Sequence, residues 1–339
     1  MKLLGTLTAA ALVACGLSAG ALAETRITGA GATFPANLYE TWIAAFTAAH
    51  PGIAIDYQAV GSGEGIRRFL DGSVDFGATD RPLDDAQIAG VEGGVLHVPR
   101  TAGMVVVAYN LPGHTGTLRL SRATLGGIFA GRITAWNDPA IAADNPGTAF
   151  PDRTIALVTR RDSSGTTFLF SGFLEAASPD WVAAGLAAGT TVDWPGAMAA
   201  AGNEGVAARL GVTEFALGYV EYSFAQALDL PVAAIENRGG AFTLPATSSG
   251  IAALAASDDD MPADGRLVVA DAASGYPITG YSWVLLPGGG HDDPAVTEGL
   301  RQFLSWGIGD GQALAEPAGY LPLPEPAAER ARQILARLP

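Results

Sequence analysis

Residues 160–167, Arg-Arg-Asp-Ser-Ser-Gly-Thr-Thr, carry most of the chemistry this chain offers. The apolar run at 155–158 ahead of them reads as a strand. Phe168, Leu169, Phe170, Phe173 and Leu174 behind them read as a mostly buried helix. Ser164-Gly165-Thr166 then opens that helix, with a hydroxyl at the cap and a glycine that lets another group approach the backbone closely. The first N–H groups of a helix have no partner within it and stand at the positive end of its dipole, so such a start can hold an anion. Arg160, four residues before Ser164, adds a fork-shaped guanidinium, and Asp162 is placed to orient it. An ordinary strand–turn–helix with capping hydroxyls would use the same residues, so the stretch needs support from elsewhere.

That support comes from two further stretches of the same design. Gly31-Ala32-Thr33-Phe34 follows a short strand beginning at Arg26. Pro35 suits the first turn of a helix in which Leu38, Trp42, Ala45, Phe46 and Ala49 recur at helical spacing. Gly61-Ser62-Gly63 follows a strand at 53–57 and precedes a short helix carrying Ile66, Phe69 and Leu70. Neither is a nucleotide signature: the first lacks the third glycine of a dinucleotide fingerprint, and the second lacks the lysine of a P-loop. Val74, Phe76 and Ala78 alternate as in a strand and put Asp80 at its carboxyl end, the edge where open α/β sheets bind ligands. The competing role for Asp80 is a cap for the helix expected over 84–88. A pocket between two α/β lobes, lined by all three helix starts, would surround a small anion with N–H and hydroxyl donors, one arginine and one carboxylate.

Catalysis and metals find less support. No histidine stands near Ser164 in sequence to act as a base. The four histidines (50, 97, 114 and 291) have no ligand spacing, and the acidic turn at 257–265 lacks the pattern of a calcium loop. The expectation is therefore a binding protein, with no enzyme activity, metal or cofactor.

The elements that must position these residues fill a 339-residue chain, long enough for two domains. Nearly half its residues are hydrophobic, and 44 glycines and 21 prolines suit a folded protein with many turns. Apolar strands are expected at 95–98, 103–109, 216–222 and 276–287. Helices are expected within 118–136 and at 203–210, 295–306 and 327–338, with a helix-poor region after the Arg160 stretch. Residues 1–23 read as an export signal: Lys2, an apolar stretch, and Ala21-Leu22-Ala23 before Glu24. A competing reading takes Leu12-Val13-Ala14-Cys15 as a lipoprotein box with Cys15 lipidated, though the segment before Cys15 is short for that purpose. Cleavage after Ala23 leaves no cysteine and no lysine. It leaves 18 arginines against 34 acids, a net charge of −16 that repels nucleic acid and anionic lipid.

The chain resembles the periplasmic phosphate-binding proteins of bacterial high-affinity phosphate ABC transporters. The resemblance rests on I-T-G-A-G-A-T-F-P-A-N-L-Y-E-T-W (27–42), V-G-S-G-E-G (60–65), V-D-F-G-A-T-D-R-P-L (74–83) and R-R-D-S-S-G-T-T (160–167). A-L-G-Y-V-E-Y (216–222) and G-Y-L-P-L-P (319–324) complete it, in the family's order. It implies an α/β fold of the type II binding-protein kind: two lobes, two crossings and a ligand cleft between them. The signal would be 1–23, with lobe I at 24–108 and 280–339 and lobe II at 109–279. It also implies a periplasmic, monomeric protein that hands inorganic phosphate to inner-membrane permease subunits. In the site it implies, Thr33 and Phe34 give N–H groups, Thr33 and Ser62 give hydroxyls, and Asp80 accepts the proton of bound phosphate. Arg160, held by Asp162, pairs with phosphate oxygens, and Ser164, Gly165 and Thr166 complete the cage. Ser163 departs from the family's usual glycine, and Arg161 beside it is a second departure. Rival readings are the same scaffold tuned to sulfate, molybdate or arsenate, a secreted phosphatase or esterase, and an adhesion or signalling protein that kept the fold. Asp80 argues against sulfate and molybdate, which carry no proton at neutral pH.

Overall fold

The computed structural model describes residues 24–256 and 261–339, so the expected signal, its cleavage site, Cys15 and part of the acidic turn lie outside the described residues. Strand and helix alternate at once: β1 (Thr25–Gly31), α1 (Ala36–Ala49), β2 (Ile53–Ala59), α2 (Ser62–Leu70), β3 (Phe76–Thr79) and α3 (Asp85–Ala89). β4 (Val95–Asn110), β5 (Arg119–Leu120), α4 (Arg122–Phe129) and α5 (Pro139–Asp144) lead to β6 (Ala156–Arg160), α6 (Gly165–Ala177) and α7 (Pro179–Ala183). Next come β7 (Met198–Ala200), α8 (Gly202–Val212), β8 (Ala216–Glu221), α9 (Tyr222–Ala227), β9 (Ala234–Glu236), β10 (Phe242–Thr243) and α10 (Thr247–Ala255). β11 (Thr279–Pro287), α11 (Pro294–Ile308) and α12 (Glu325–Leu335) close the chain.

The main sheet has the order β2-β1-β3-β11-β4-β8-β6-β7. β1 pairs in parallel with β2 and β3, and β6 in parallel with β7 and β8, which makes two parallel blocks. The antiparallel partners β11 and β4 lie between them. β3 runs in the same sense as β4, and β8 runs against it. The carboxyl ends of the two blocks therefore point at each other where β4 changes partner, from β11 up to Met104 to β8 from Val105. A three-stranded sheet, β10-β9-β5, lies beside the second block.

Three expectations change. The strands expected at 95–98 and 103–109 are one strand of 16 residues, buried along all but its two ends. Pro99 and Arg100 hid this, because proline is rare in a central strand and arginine rare in a core. A bulge against Ser282 and Trp283 accommodates them. The buried Arg100 lies 4.8 Å over Trp42 and 5.2 Å over Phe303, and donates to the Leu304 carbonyl at 2.5 Å. The region after the Arg160 stretch contains α7, which starts on Pro179. Pro35 precedes the first helical residue of α1 rather than standing within its first turn.

Candidate functional site

Every residue expected in the site lies at or just past the carboxyl end of a strand. Thr33 and Phe34 follow β1, Ser62 opens α2, Asp80 follows β3, Arg160 ends β6, and Ser164, Gly165 and Thr166 open α6. All are buried. The two parallel blocks bring them together from opposite sides. Gly63 N–H donates to the Ser163 carbonyl at 2.9 Å. A methyl group on Gly165 would collide with Ser62 Oγ and Asp80 Oδ2, so glycine is what lets α6 reach the first block. Gly61 has φ of 95° and abuts Asp162 Oδ2, excluding a side chain there on both grounds.

Arg160 is fixed by its neighbours on β6 and α6. Its Nε and Nη2 donate to Asp162 at 2.9 and 2.5 Å, and its Nη1 donates to Thr166 Oγ1 at 3.0 Å. Burial works to raise the Asp162 carboxyl, but the hydrogen bonds and charge of Arg160 outweigh it and hold Asp162 below the usual carboxylate range. Asp162 also accepts from Gly202 N–H at 3.0 Å. Behind Arg160, Tyr219 accepts from its backbone N–H at 3.3 Å and meets Thr167 Oγ1 at 2.6 Å. The Tyr219 ring stacks on Phe170 at 4.4 Å, so the aromatic core of the second block sets the position of the arginine.

The hydroxyls keep a proton to donate. Thr33 Oγ1 accepts from Asn203 N and Nδ2 at 3.3 and 3.0 Å. Thr166 Oγ1 accepts from Asn203 Nδ2 at 3.1 Å and from Arg160. Ser164 Oγ accepts from Thr167 N–H at 3.1 Å as the cap of α6. Each of these hydroxyls accepts from the protein, which leaves its own proton available to another acceptor. Asp80 is the exception among these donors. It is 1% exposed, its Oδ1 accepts from Ser282 Oγ at 2.7 Å and its Oδ2 lies 3.3 Å from Ser62 Oγ. Burial raises its pKa to about 7, against the hydrogen bond from Ser282, the charge of Arg160 and the bond from Ser62. Asp80 does not cap α3; Asp84 does, in a capping box with Gln87.

Sequence reading missed Asn203, which ties Thr33 to Thr166 across the two blocks, and Ser282, which holds Asp80. Asn203 follows a strand's carboxyl end just as Ser62 and Ser164 do, and that placement was the available signal. Ser282 lies inside an apolar strand with nothing local to mark it. Among the described residues, no group of three or more His, Cys, Asp or Glu is placed to hold a metal, and no helix is long and apolar enough to cross a membrane.

A family model described as a PBP superfamily domain matches residues 18–310. The phosphate-binding protein PstS of Pasteurella multocida is 36% identical over 302 residues, covering 88% of this chain and 86% of that one. The PstS of Methanocaldococcus jannaschii is 35% identical over 323 residues, covering 88% and 82%. The solved structure of PfluDING, a high-affinity periplasmic phosphate-binding protein bound with phosphate, has a TM-score of 0.74 at 24% identity. It covers 91% of this chain and 93% of its own, and at that identity the likeness is one of fold. Two α/β lobes meeting at β4 and β11 are the type II binding-protein architecture, and the chain belongs to the PstS family of phosphate-binding proteins within the PBP superfamily.

Proposed function

We propose that this protein binds inorganic phosphate between its two lobes and delivers it to the permease of an inner-membrane ABC transporter, working as a monomer in the periplasm without catalysing a reaction. The observation that carries this reading is Asp80, a buried carboxyl amid the hydroxyls of Thr33, Ser164 and Thr166 and the guanidinium of Arg160. Hydroxyl and N–H donors suit any oxyanion. A carboxylate suits only one that brings its own proton, as mono- and dihydrogen phosphate do. Two curated relatives that this chain matches over most of its length are named phosphate-binding proteins, which supports the same ligand.

In this reading Thr33, Phe34, Ser62, Ser164, Gly165 and Thr166 supply N–H and hydroxyl donors, Arg160 pairs with the charged oxygens, and Asp80 accepts the ligand's proton. The lobes would be 24–108 with 280–339, and 109–279. The partner change in β4 at Met104 and Val105 and the start of β11 at Thr279 lie close to those joins. The test is calorimetric titration of ligand-stripped protein with phosphate and with sulfate at neutral pH. Tight phosphate binding with sulfate at least a thousandfold weaker is expected. Comparable affinities would point instead to a general oxyanion carrier. Release of chromophore from a chromogenic phosphate ester would overturn the non-catalytic reading.

A further inference from the structure

Behind the Thr33–Phe34 turn, a chain of buried oxygens crosses from the second block to the first. Glu221, the last residue of β8, is fully buried. Its Oε2 lies 2.5 Å from Ser223 Oγ and 2.9 Å from Ser223 N. Ser223 Oγ lies 3.0 Å from Tyr320 Oη, and Tyr320 Oη donates to the Phe34 carbonyl at 2.7 Å. Asn37 Nδ2, from α1, donates into Ser223 Oγ at 2.9 Å. From the other side, Glu221 N–H donates to Asn203 Oδ1 at 3.0 Å, which fixes the amide that donates to Thr33.

The protons in this chain can be counted. Three oxygen–oxygen contacts link Glu221, Ser223, Tyr320 and Phe34, and each needs one proton between its atoms. The Phe34 carbonyl has none to give, so Tyr320 spends its proton there. Ser223 has one proton for two remaining contacts, and Asn37 supplies none to an oxygen–oxygen pair. If Glu221 were ionised, two oxygens would face each other without a proton in a dry interior. A proton on Glu221 Oε2 completes the chain: Glu221 to Ser223, Ser223 to Tyr320, Tyr320 to Phe34. Glu221 Oε1 is buried with no hydrogen-bond partner, which costs less on a neutral acid than on a carboxylate.

We propose that Glu221 is a positioning residue that carries a proton in the folded protein and, through Ser223 and Tyr320, holds the Thr33–Phe34 turn in its anion-binding geometry. This rests on the reading that the turn contacts phosphate. The titratable groups that face Glu221 are Tyr320, Tyr222 at the start of α9, and Asp80 beyond β3, and none can carry positive charge to favour ionisation. Burial accordingly pushes the Glu221 carboxyl up to about 8, with the bond from the Ser223 backbone N–H opposing it and the charge of Asp80 adding to it.

The experiment compares the full-length mature protein with Glu221→Gln and Ser223→Ala, titrating phosphate calorimetrically from pH 6 to 10. Glutamine keeps the shape and the acceptor for Ser223 N–H, but it has no proton for Ser223 Oγ and cannot ionise. Glu221→Gln should therefore bind more weakly than wild type near pH 6 and show no step near pH 8. Above about pH 8 wild type should weaken relative to Glu221→Gln by about tenfold, the worth of one hydrogen bond of the chain. Titration of phosphate itself and of Asp80 is common to both proteins and cancels in the ratio. Ser223→Ala should bind more weakly at every pH and show a smaller pH difference. Infrared difference spectra of ligand-free protein should contain a protonated carboxyl band, absent from Glu221→Gln, that disappears on raising the pH. Parallel pH profiles for wild type and Glu221→Gln, or no such band, would overturn the proposal while leaving the phosphate site intact. Failure of wild type to bind phosphate at all would instead remove the reading on which the turn's role depends.

Discussion

Ser282 Oγ donates to Asp80 Oδ1 at 2.7 Å from a strand 202 residues further along the chain. The bond favours the ionised form of an acid that burial pushes toward neutrality, and so helps keep Asp80 an acceptor near neutral pH. Ser282→Ala should therefore move the Asp80 pKa further above about 7. Phosphate titrations should show weaker binding at pH 7 with partial recovery at higher pH. An unchanged pH profile would show that Ser282 is only packed beside the acid.

Asp80 should set the choice between phosphate and sulfate. Sulfate at neutral pH brings no proton, so it would face a carboxylate oxygen in a site closed to water. Asp80→Asn keeps the shape and adds an N–H, and should shrink the phosphate-to-sulfate affinity ratio chiefly by improving sulfate binding. In wild type, sulfate should bind better as pH falls through about 7, where Asp80 gains the missing proton itself. Paired titrations at pH 6 and 8 check both points.

Arg160 is gripped through three of its N–H groups by Asp162 and Thr166, which orients its planar fork. A lysine offers a point charge without that fork. Arg160→Lys should weaken phosphate binding, and Arg160→Ala should weaken it by roughly 2–5 kcal/mol, as for truncation of a buried charged partner. Calorimetry on the alanine variant decides whether Arg160 belongs to the site.

Gly165 should tolerate no side chain. A methyl group there meets Ser62 Oγ and Asp80 Oδ2 from the opposite block, while α6 itself would accept alanine well. Gly165→Ala should therefore lower the unfolding temperature, because the methyl group collides across the two blocks of the structure itself. It should weaken phosphate binding by roughly 1–3 kcal/mol, the usual cost of overpacking. Loss of stability with unaltered affinity would place the contact outside the binding site.

Stability without ligand should fall as pH rises from the ordinary carboxylate range toward 7 and 8. Asp80 and Glu221 hold their protons in the folded state up to about 7 and about 8, while the unfolded chain releases them at lower pH. The unfolded state then binds fewer protons, so each acid subtracts about 1.4 kcal/mol per pH unit within its window and nothing further above it. Denaturant unfolding between pH 5 and 9 should show this slope, reduced in Asp80→Asn. A flat profile would mean that both acids ionise normally in the folded protein.

Local sequence was enough for the parts of the site whose partners lie a few residues away. The cap on α6 is Ser164 to Thr167, the grip on the arginine is Arg160 to Asp162, and Asp80 follows from alternation in the strand before it. Such features are fixed by backbone geometry over one turn or one strand, and residue type reports them directly. The continuity of β4 was not visible, because Pro99 and Arg100 break its apolar pattern and only the bulge against β11 makes room for them. Nor were Asn203, Ser282, Glu221 and Tyr320 visible as parts of the site. Their bonds to Thr166, Asp80, Ser223 and Phe34 span from 2 to 286 residues, and nearly all cross from one strand or helix to another. A buried polar side chain must find a partner, but sequence does not say which one. That was decided only when the two parallel blocks turned their carboxyl ends toward each other across β4.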